Sequence, residues 1–239
     1  MDPVSSATVP AEPRQRWRVV FRRRSDAPPL AQREQLAAWE AALARGELRL
    51  AGLDLPAPRP RIVFGAPLGA GIAAERELLD LFLVERLTVA EARRRLLGSL
   101  PAGHELVDLH DVWLPAPPLS GQVAAADYRL EIELEDGSAP DPVRLSAACA
   151  RLLGAATLPR TREKGGRPIS YDLRPLVADI RIRSTPPGGP PALIARTRFH
   201  PERGVGRPEE VLAVLSELAG LPFVARLIVR ERLVLAEDA

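Results

Sequence analysis

The residues best equipped for chemistry in this sequence are cationic. Arg160, Arg162, Lys164 and Arg167 fall within eight positions and flank the pair Gly165-Gly166. Arg174 follows shortly after, and Arg59 and Arg61 form a smaller group upstream. An arginine fork presents planar donors that match phosphate oxygens bidentately. On a strand, Arg160 and Arg162 project to one side, so a hairpin bearing them could grip a phosphate backbone. Such binding releases counterions and is therefore salt-sensitive. The bland alternative is a solvated hairpin tip, because exposed arginine is common. Asp172 and Arg174 share a strand face and could simply pair with each other. A second basic cluster is Arg22-Arg23-Arg24. Readers of single-stranded RNA usually interleave such charge with aromatics on which bases stack. The aromatics available to a sheet, Trp17, Phe21, Phe64, Phe82, Tyr128 and Tyr171, read mostly as core.

Other chemistry is sparse. The three histidines are His104, His110 and His200. An alternating strand would put Asp108 and His110 on one face, as a metal pair requires, but no third ligand is evident. His200 precedes Pro201, and a turn accounts for it. Cys149 is the only cysteine, so one chain can build neither an internal disulfide nor a thiolate cluster site. Its surroundings, Leu145 to Leu153, read as a helix face, which makes it a buried structural thiol. No dinucleotide or P-loop glycine spacing, Gly-x-Ser-x-Gly elbow or Cys-x3-Cys-x2-Cys run occurs. No cofactor is expected. The 239 residues carry 33 basic and 31 acidic side chains, for a net charge of +2, so any RNA-binding face must be a local patch. Almost every basic residue is arginine; Lys164 is the sole lysine. No signal peptide or apolar membrane span is apparent, which predicts a cytoplasmic protein without a membrane partner.

These groups must be positioned by a packed scaffold, and 46% apolar residues suffice for a core built mainly of Leu, Val, Ile and Ala. Residues 1–15 read as a disordered tail. Strand patterns cover 17–23, 61–64, 77–84 and 106–114. Helical patterns cover 30–45, stopped by Gly46, and 88–100, where Thr88 and Glu91 spell a capping box. Pro115-Ala116-Pro117-Pro118 breaks the chain. The order then nearly repeats: strand 128–134, helix 141–153 with Asp141 as N-cap and Pro142 first in the helix, and strands 156–163 and 169–184 around Lys164-Gly165-Gly166. A Pro-Gly loop at 186–191, strand 192–199, a helix from Pro208 to Gly220 and strand 223–235 complete the chain. The fold class is α+β, two tandem ferredoxin-like (β-α-β-β-α-β) halves with antiparallel sheets, over 16–116 and 117–239.

Two stretches carry a family resemblance. One is Pro58-Arg59-Pro60-Arg61-Ile62-Val63-Phe64-Gly65-Ala66-Pro67-Leu68, with Gly71 and Glu77-Leu78-Leu79-Asp80. The other is Tyr171-Asp172-Leu173-Arg174-Pro175-Leu176-Val177, preceded by the basic run from Arg160 to Arg167. Together they resemble the radical-SAM-linked protein family, whose members lie beside or are fused to a cobalamin-binding-type radical SAM protein and often sit near genes for RNA processing. The chain departs from that family's pattern at two places. Ala31-Gln32-Arg33-Glu34 stands where members carry Ser-His-Leu-Asp, and Leu55-Pro56-Ala57-Pro58-Arg59-Pro60 where they carry Gly-Phe-Asn-Pro-His-Pro. Any chemistry those histidines perform is lost here, since Arg59 stays protonated and cannot act as a base. The resemblance implies an accessory or substrate-presenting module for a radical SAM protein, binding structured RNA through the basic hairpin. A stand-alone RNA-processing or RNA-modifying enzyme and a degenerate structural partner are the alternatives. No catalytic constellation is visible, so the chain reads as a binding module rather than a self-sufficient enzyme.

Overall fold

The computed structural model describes residues 11–183 and 191–238. Most of the expected tail, residues 1–10, and nearly all of the expected Pro-Gly loop lie outside them. The fold is α+β, and the chain divides into two compact units: residues 1–70 with 77–121, and residues 71–76 with 122–239.

Unit 1 contains β1 (Gln15–Arg23), α1 (Gln32–Arg45), β2 (Ile62–Phe64), most of β3 (Ala73–Leu83), α2 (Val89–Leu97), β4 (His104–Val112) and nearly all of the short α3 (Leu119–Gln122). Its strands run in the order β2-β3-β1-β4. Helix α1 buries Gln35, Trp39, Ala42 and Leu43, the i, i+4, i+7, i+8 stripe of an amphipathic helix. That stripe packs with Trp17, Val19 and Phe21 of β1, Leu79, Leu81 and Leu83 of β3, Ala92 and Leu96 of α2 and Leu109 of β4. Glu34 accepts from the Ala31 amide at 2.8 Å, so α1 starts without a capping hydroxyl. The Thr88 hydroxyl accepts from the Glu91 amide at 3.2 Å. The reciprocal half of the expected capping box is missing, because the Glu91 carboxylate turns outward to Arg94 and Arg95. Those guanidiniums lower its pKa to about 2.

Unit 2 contains β5 (Val123–Leu134), α4 (Pro142–Gly154), β6 (Pro159–Lys164), β7 (Arg167–Asp172), β8 (Val177–Arg183), β9 (Ala192–His200), β10 (Gly204–Val205), α5 (Pro208–Ala219) and β11 (Phe223–Leu235). Strands β8 and β10 both pair with β9, followed by β5 and β11. Helices α4 and α5 pack on each other and against β8 and β11. The Asp141 carboxylate caps α4 through the Val143 amide at 2.9 Å, and Gly220 ends α5 in the left-handed conformation.

Three expectations are corrected. The sheet is mixed rather than antiparallel, because Val229 and Arg230 of β11 pair in parallel with Ala73 and Ala74 at the start of β3. This covers an edge of β11 that would otherwise expose unpaired backbone groups. The strand expected over 169–184 is broken. A 3-10 turn at Arg174–Leu176, containing Pro175, separates β7 from β8. Strands β3 and β5 begin earlier than their hydrophobic alternation suggested, at Ala73 and Val123, where small alanines fill the ladder.

Candidate nucleic-acid interface

Strands β6 and β7 form a separate two-stranded sheet, closed by Gly165 (φ 59°) and Gly166 (φ 76°). Paired positive φ angles give the turn twist that hairpins prefer, and glycine adopts them without strain. A lone hairpin is marginal in water, so this one needs anchors. Arg160 supplies one, bonding both Glu217 oxygens at 2.7 and 2.8 Å. Asp172 supplies another, accepting from the Leu158 amide at 2.7 Å and the Arg174 amide at 3.0 Å. Arg174 supplies the third. Its guanidinium donates to the Leu153 carbonyl at 2.8 and 3.1 Å and to the Val177 carbonyl at 2.8 Å. Asp172 and Arg174 therefore meet through the backbone amide rather than through their side chains, and the Arg174 guanidinium, a candidate contact from sequence, instead ties the end of α4 to β8.

Arg162 is placed differently. Its guanidinium lies over the Tyr171 ring, 4.8 Å from the centroid. It also passes Gly204 so closely that a Cβ there would sit 2.9 Å from Nη2. Beside it opens a cleft of about 640 Å³ lined by Arg162, Ser170, Tyr171, Asp172, Arg203 and Gly204, among others. Arg203 is exposed, and among the described residues neither it nor Arg162 is ion-paired. Burial first, then Glu210, pushes the Tyr171 phenol above its ordinary value, so it stays neutral. Tyr171 and Glu210 couple electrostatically, yet neither Tyr171 Oη nor Glu210 Oε2 makes a hydrogen bond of normal geometry. Arg167 is exposed at the hairpin turn, next to Gly166. The Lys164 backbone pairs with Arg167, and its side chain lies outside the described positions.

Arg59 and Arg61 belong to unit 1, whereas the hairpin belongs to unit 2. Both are exposed, and Arg61 stacks on Phe82 at 3.9 Å. The Arg22-Arg23-Arg24 cluster does not form a basic surface. Arg23 is buried and donates to the Pro28 and Gly69 carbonyls at 2.7 and 3.2 Å, while Arg24 bonds Asp26 and Arg22 lies 3.6 Å from Glu105.

Of the remaining candidates, His104, His200 and Cys149 have structural places. The His104 ring sits 5.6 Å from both Phe21 and Trp39, with Nδ1 3.0 Å from the Ala102 carbonyl, and burial lowers its pKa. His110 is exposed, 3.9 Å from Asp108, and among the described residues no group of three His, Cys, Asp or Glu could hold a metal. His200 Nδ1 accepts from the Glu202 and Arg203 amides at 3.2 Å, which fixes a turn. Cys149 is buried, and burial pushes its thiol up to about 11.

Two arrangements were not foreseen from sequence. In unit 2, Asp127 joins Arg196 and Arg232, Glu131 joins Arg129 and Arg226, and Glu231 joins Arg129 and Arg183. Burial alone would raise the Asp127 pKa, but Arg196 and Arg232 outweigh it and hold the carboxyl below its ordinary value. The alternation Asp127, Arg129, Glu131 along β5 was the available signal. In unit 1, one departure from the family pattern, Ala31 to Arg33, and the first resemblance stretch, through residues between Ile62 and Leu68 and through Glu77, line a common cleft of about 580 Å³. Gln32, Leu36, Phe64, Pro67, Leu68 and the buried Glu77 are part of its lining. No histidine lines it.

A family model described as "Uncharacterized protein conserved in bacteria (DUF2344)" matches residues 16–207. The chain belongs to this DUF2344 family. No curated protein matches it. Among solved structures it is similar to an archaeal box H/ACA sRNP Nop10-Cbf5 complex, at 13% identity and TM-score 0.44 over 91% of this chain and 47% of that one. It is also similar to an H/ACA RNP bound to a substrate RNA containing 2'-deoxyuridine, at 11% and 0.46 over 90% and 47%. A third is a Cas6 product complex, at 19% and 0.24 over 90% and 99%. The DUF2344 chain spans about half the length of the two H/ACA chains.

Proposed function

We propose that this DUF2344 protein is an RNA-contacting accessory module, two ferredoxin-like halves in tandem, that serves a radical SAM protein. The strand orders support the architecture. Each unit places its own four main strands in the order second, third, first, fourth, with two helices between them. The observation that carries the RNA reading is the hairpin cleft. There Arg162 lies over the Tyr171 ring, 4.8 Å from its centroid, in a cleft that the exposed Arg203 also lines, and neither guanidinium is committed to a carboxylate among the described residues. A pre-positioned fork loses little side-chain entropy when it takes a phosphate. Ser170 adds a hydroxyl to the same cleft, and Arg167 adds charge at the turn. Glu202 and Asp172 also line the cleft, so contact is local and selective rather than a broad basic surface. The radical SAM partner rests on the family resemblance of Pro58 to Leu68 and Tyr171 to Val177.

A pull-down of tagged protein from its native lysate, with and without nuclease, tests this. RNA that leaves as salt rises supports the phosphate grip, and a radical SAM protein retained after nuclease supports the partnership. Absence of both contradicts the accessory-module reading and favours a degenerate structural partner.

A further inference from the structure

The three tryptophans divide sharply. Trp17 and Trp39 are 2% and 1% exposed, whereas Trp113 is 75% exposed. Trp113 follows the last residue of β4 and forms part of a cleft of about 390 Å³ whose lining includes Arg14, Gln15, Arg16, Arg86 and Asp111. Arg14 and Arg86 are exposed, and neither is ion-paired among the described residues. Gln15 Nε2 occupies the Asp111 carboxylate at 3.1 Å.

The loop bearing Trp113 is anchored from beneath. Arg16 is buried and donates to Asp80, then reaches the Ala116 and Pro117 carbonyls at 2.6 and 2.9 Å. The Ala116 amide closes a turn onto the Trp113 carbonyl at 2.9 Å. The indole is therefore carried on a fixed loop, with two guanidiniums at its side. Fixed aromatic faces combined with cationic groups are the elements by which proteins hold single-stranded nucleic acid: bases stack, and cations follow the backbone.

We infer that Trp113 is a stacking platform for an unpaired base of single-stranded RNA, with Arg14 and Arg86 contacting the adjoining phosphates. This rests on the RNA reading above, but it concerns unit 1 and residues outside the hairpin. Any base offers a π-face, so the platform is sequence-tolerant; its requirement is an unpaired base.

The test titrates the full chain with a single-stranded ribo-oligonucleotide and with an abasic oligonucleotide of equal length. Because Trp17 and Trp39 are buried, a change in indole emission on binding reports Trp113. The expected result is a change with the base-bearing strand only. Trp113→Ala should lose affinity by about tenfold, and Trp113→Phe should retain most of it. Arg14→Ala with Arg86→Ala should weaken both strands and flatten the salt dependence. If RNA binds with unchanged emission and Trp113→Ala keeps wild-type affinity, the platform is refuted while the hairpin reading stands. If no RNA binds, both fall. If the emission changes with protein concentration alone, a second copy covers Trp113 and the platform is overturned.

Discussion

Arginine performs opposite tasks in the floor of unit 1 and in the hairpin of unit 2. Beneath unit 1, Arg16 and Arg18 converge on Asp80, which is fully buried, at 2.6 and 2.8 Å. Arg16 commits its guanidinium to Asp80 and the Ala116 and Pro117 carbonyls, and Arg18 gives Nε and Nη2 to Asp80, so the cluster fixes β1 against β3 and the loop after β4. On the hairpin, Arg160 anchors the strand through a Glu217 that is 61% exposed, while Arg162 lies over an aromatic ring beside an open cleft with no carboxylate partner among the described residues. The residue type is the same, and burial decides whether a guanidinium is framework or contact surface. A buried charge must be paired because desolvation is costly, whereas an exposed one gains little from its partner and stays available.

Asp80→Ala leaves two buried guanidiniums without their carboxylate and should destabilise the protein by about 3–5 kcal/mol. Glu217→Ala should cost under about 1 kcal/mol. Denaturant titrations of both variants measure the gap, and equal losses would erase the distinction.

The architecture was legible wherever period and punctuation agreed. Trp39, Ala42 and Leu43 announce α1, Thr88 and Asp141 mark helix starts, and Gly165-Gly166 marks a hairpin. Side-chain commitment was not legible. Arg16 and Arg18 alternate with Trp17 and Val19, which reads as a polar face turned to water. Only the placement of Asp80 in β3 turns that face into a buried cluster. Arg174 lies in the family motif near the hairpin cations, yet the turn around Pro175 aims it at carbonyl oxygens. Strand pairing between segments distant in sequence, such as β11 with the start of β3, leaves no local trace. The Arg162–Tyr171 contact was hidden for a related reason. It depends on hairpin register and on Gly204, both of which are tertiary facts.

A smaller effect separates the regions by pH. Burial holds the His104 pKa below its ordinary value of 6.5 in the folded state. The unfolded chain then binds more protons, so the stability contributed is present above about 6.5 and is lost as pH falls through that value. Unfolding midpoints should decline between about pH 7 and 5, and His104→Gln should flatten that decline. His104 does not line the hairpin cleft, so RNA affinity should not follow the same curve.

The most direct measurement is the salt dependence of RNA affinity for the wild-type chain and for Arg162→Ala with Arg203→Ala. The proposed grip assigns one phosphate to each guanidinium, so removing both predicts weaker binding and a log–log salt slope shallower by about 1 to 2, with an unchanged unfolding midpoint. An unchanged slope and affinity in the double variant would contradict the assignment of the hairpin cleft as the phosphate-binding surface.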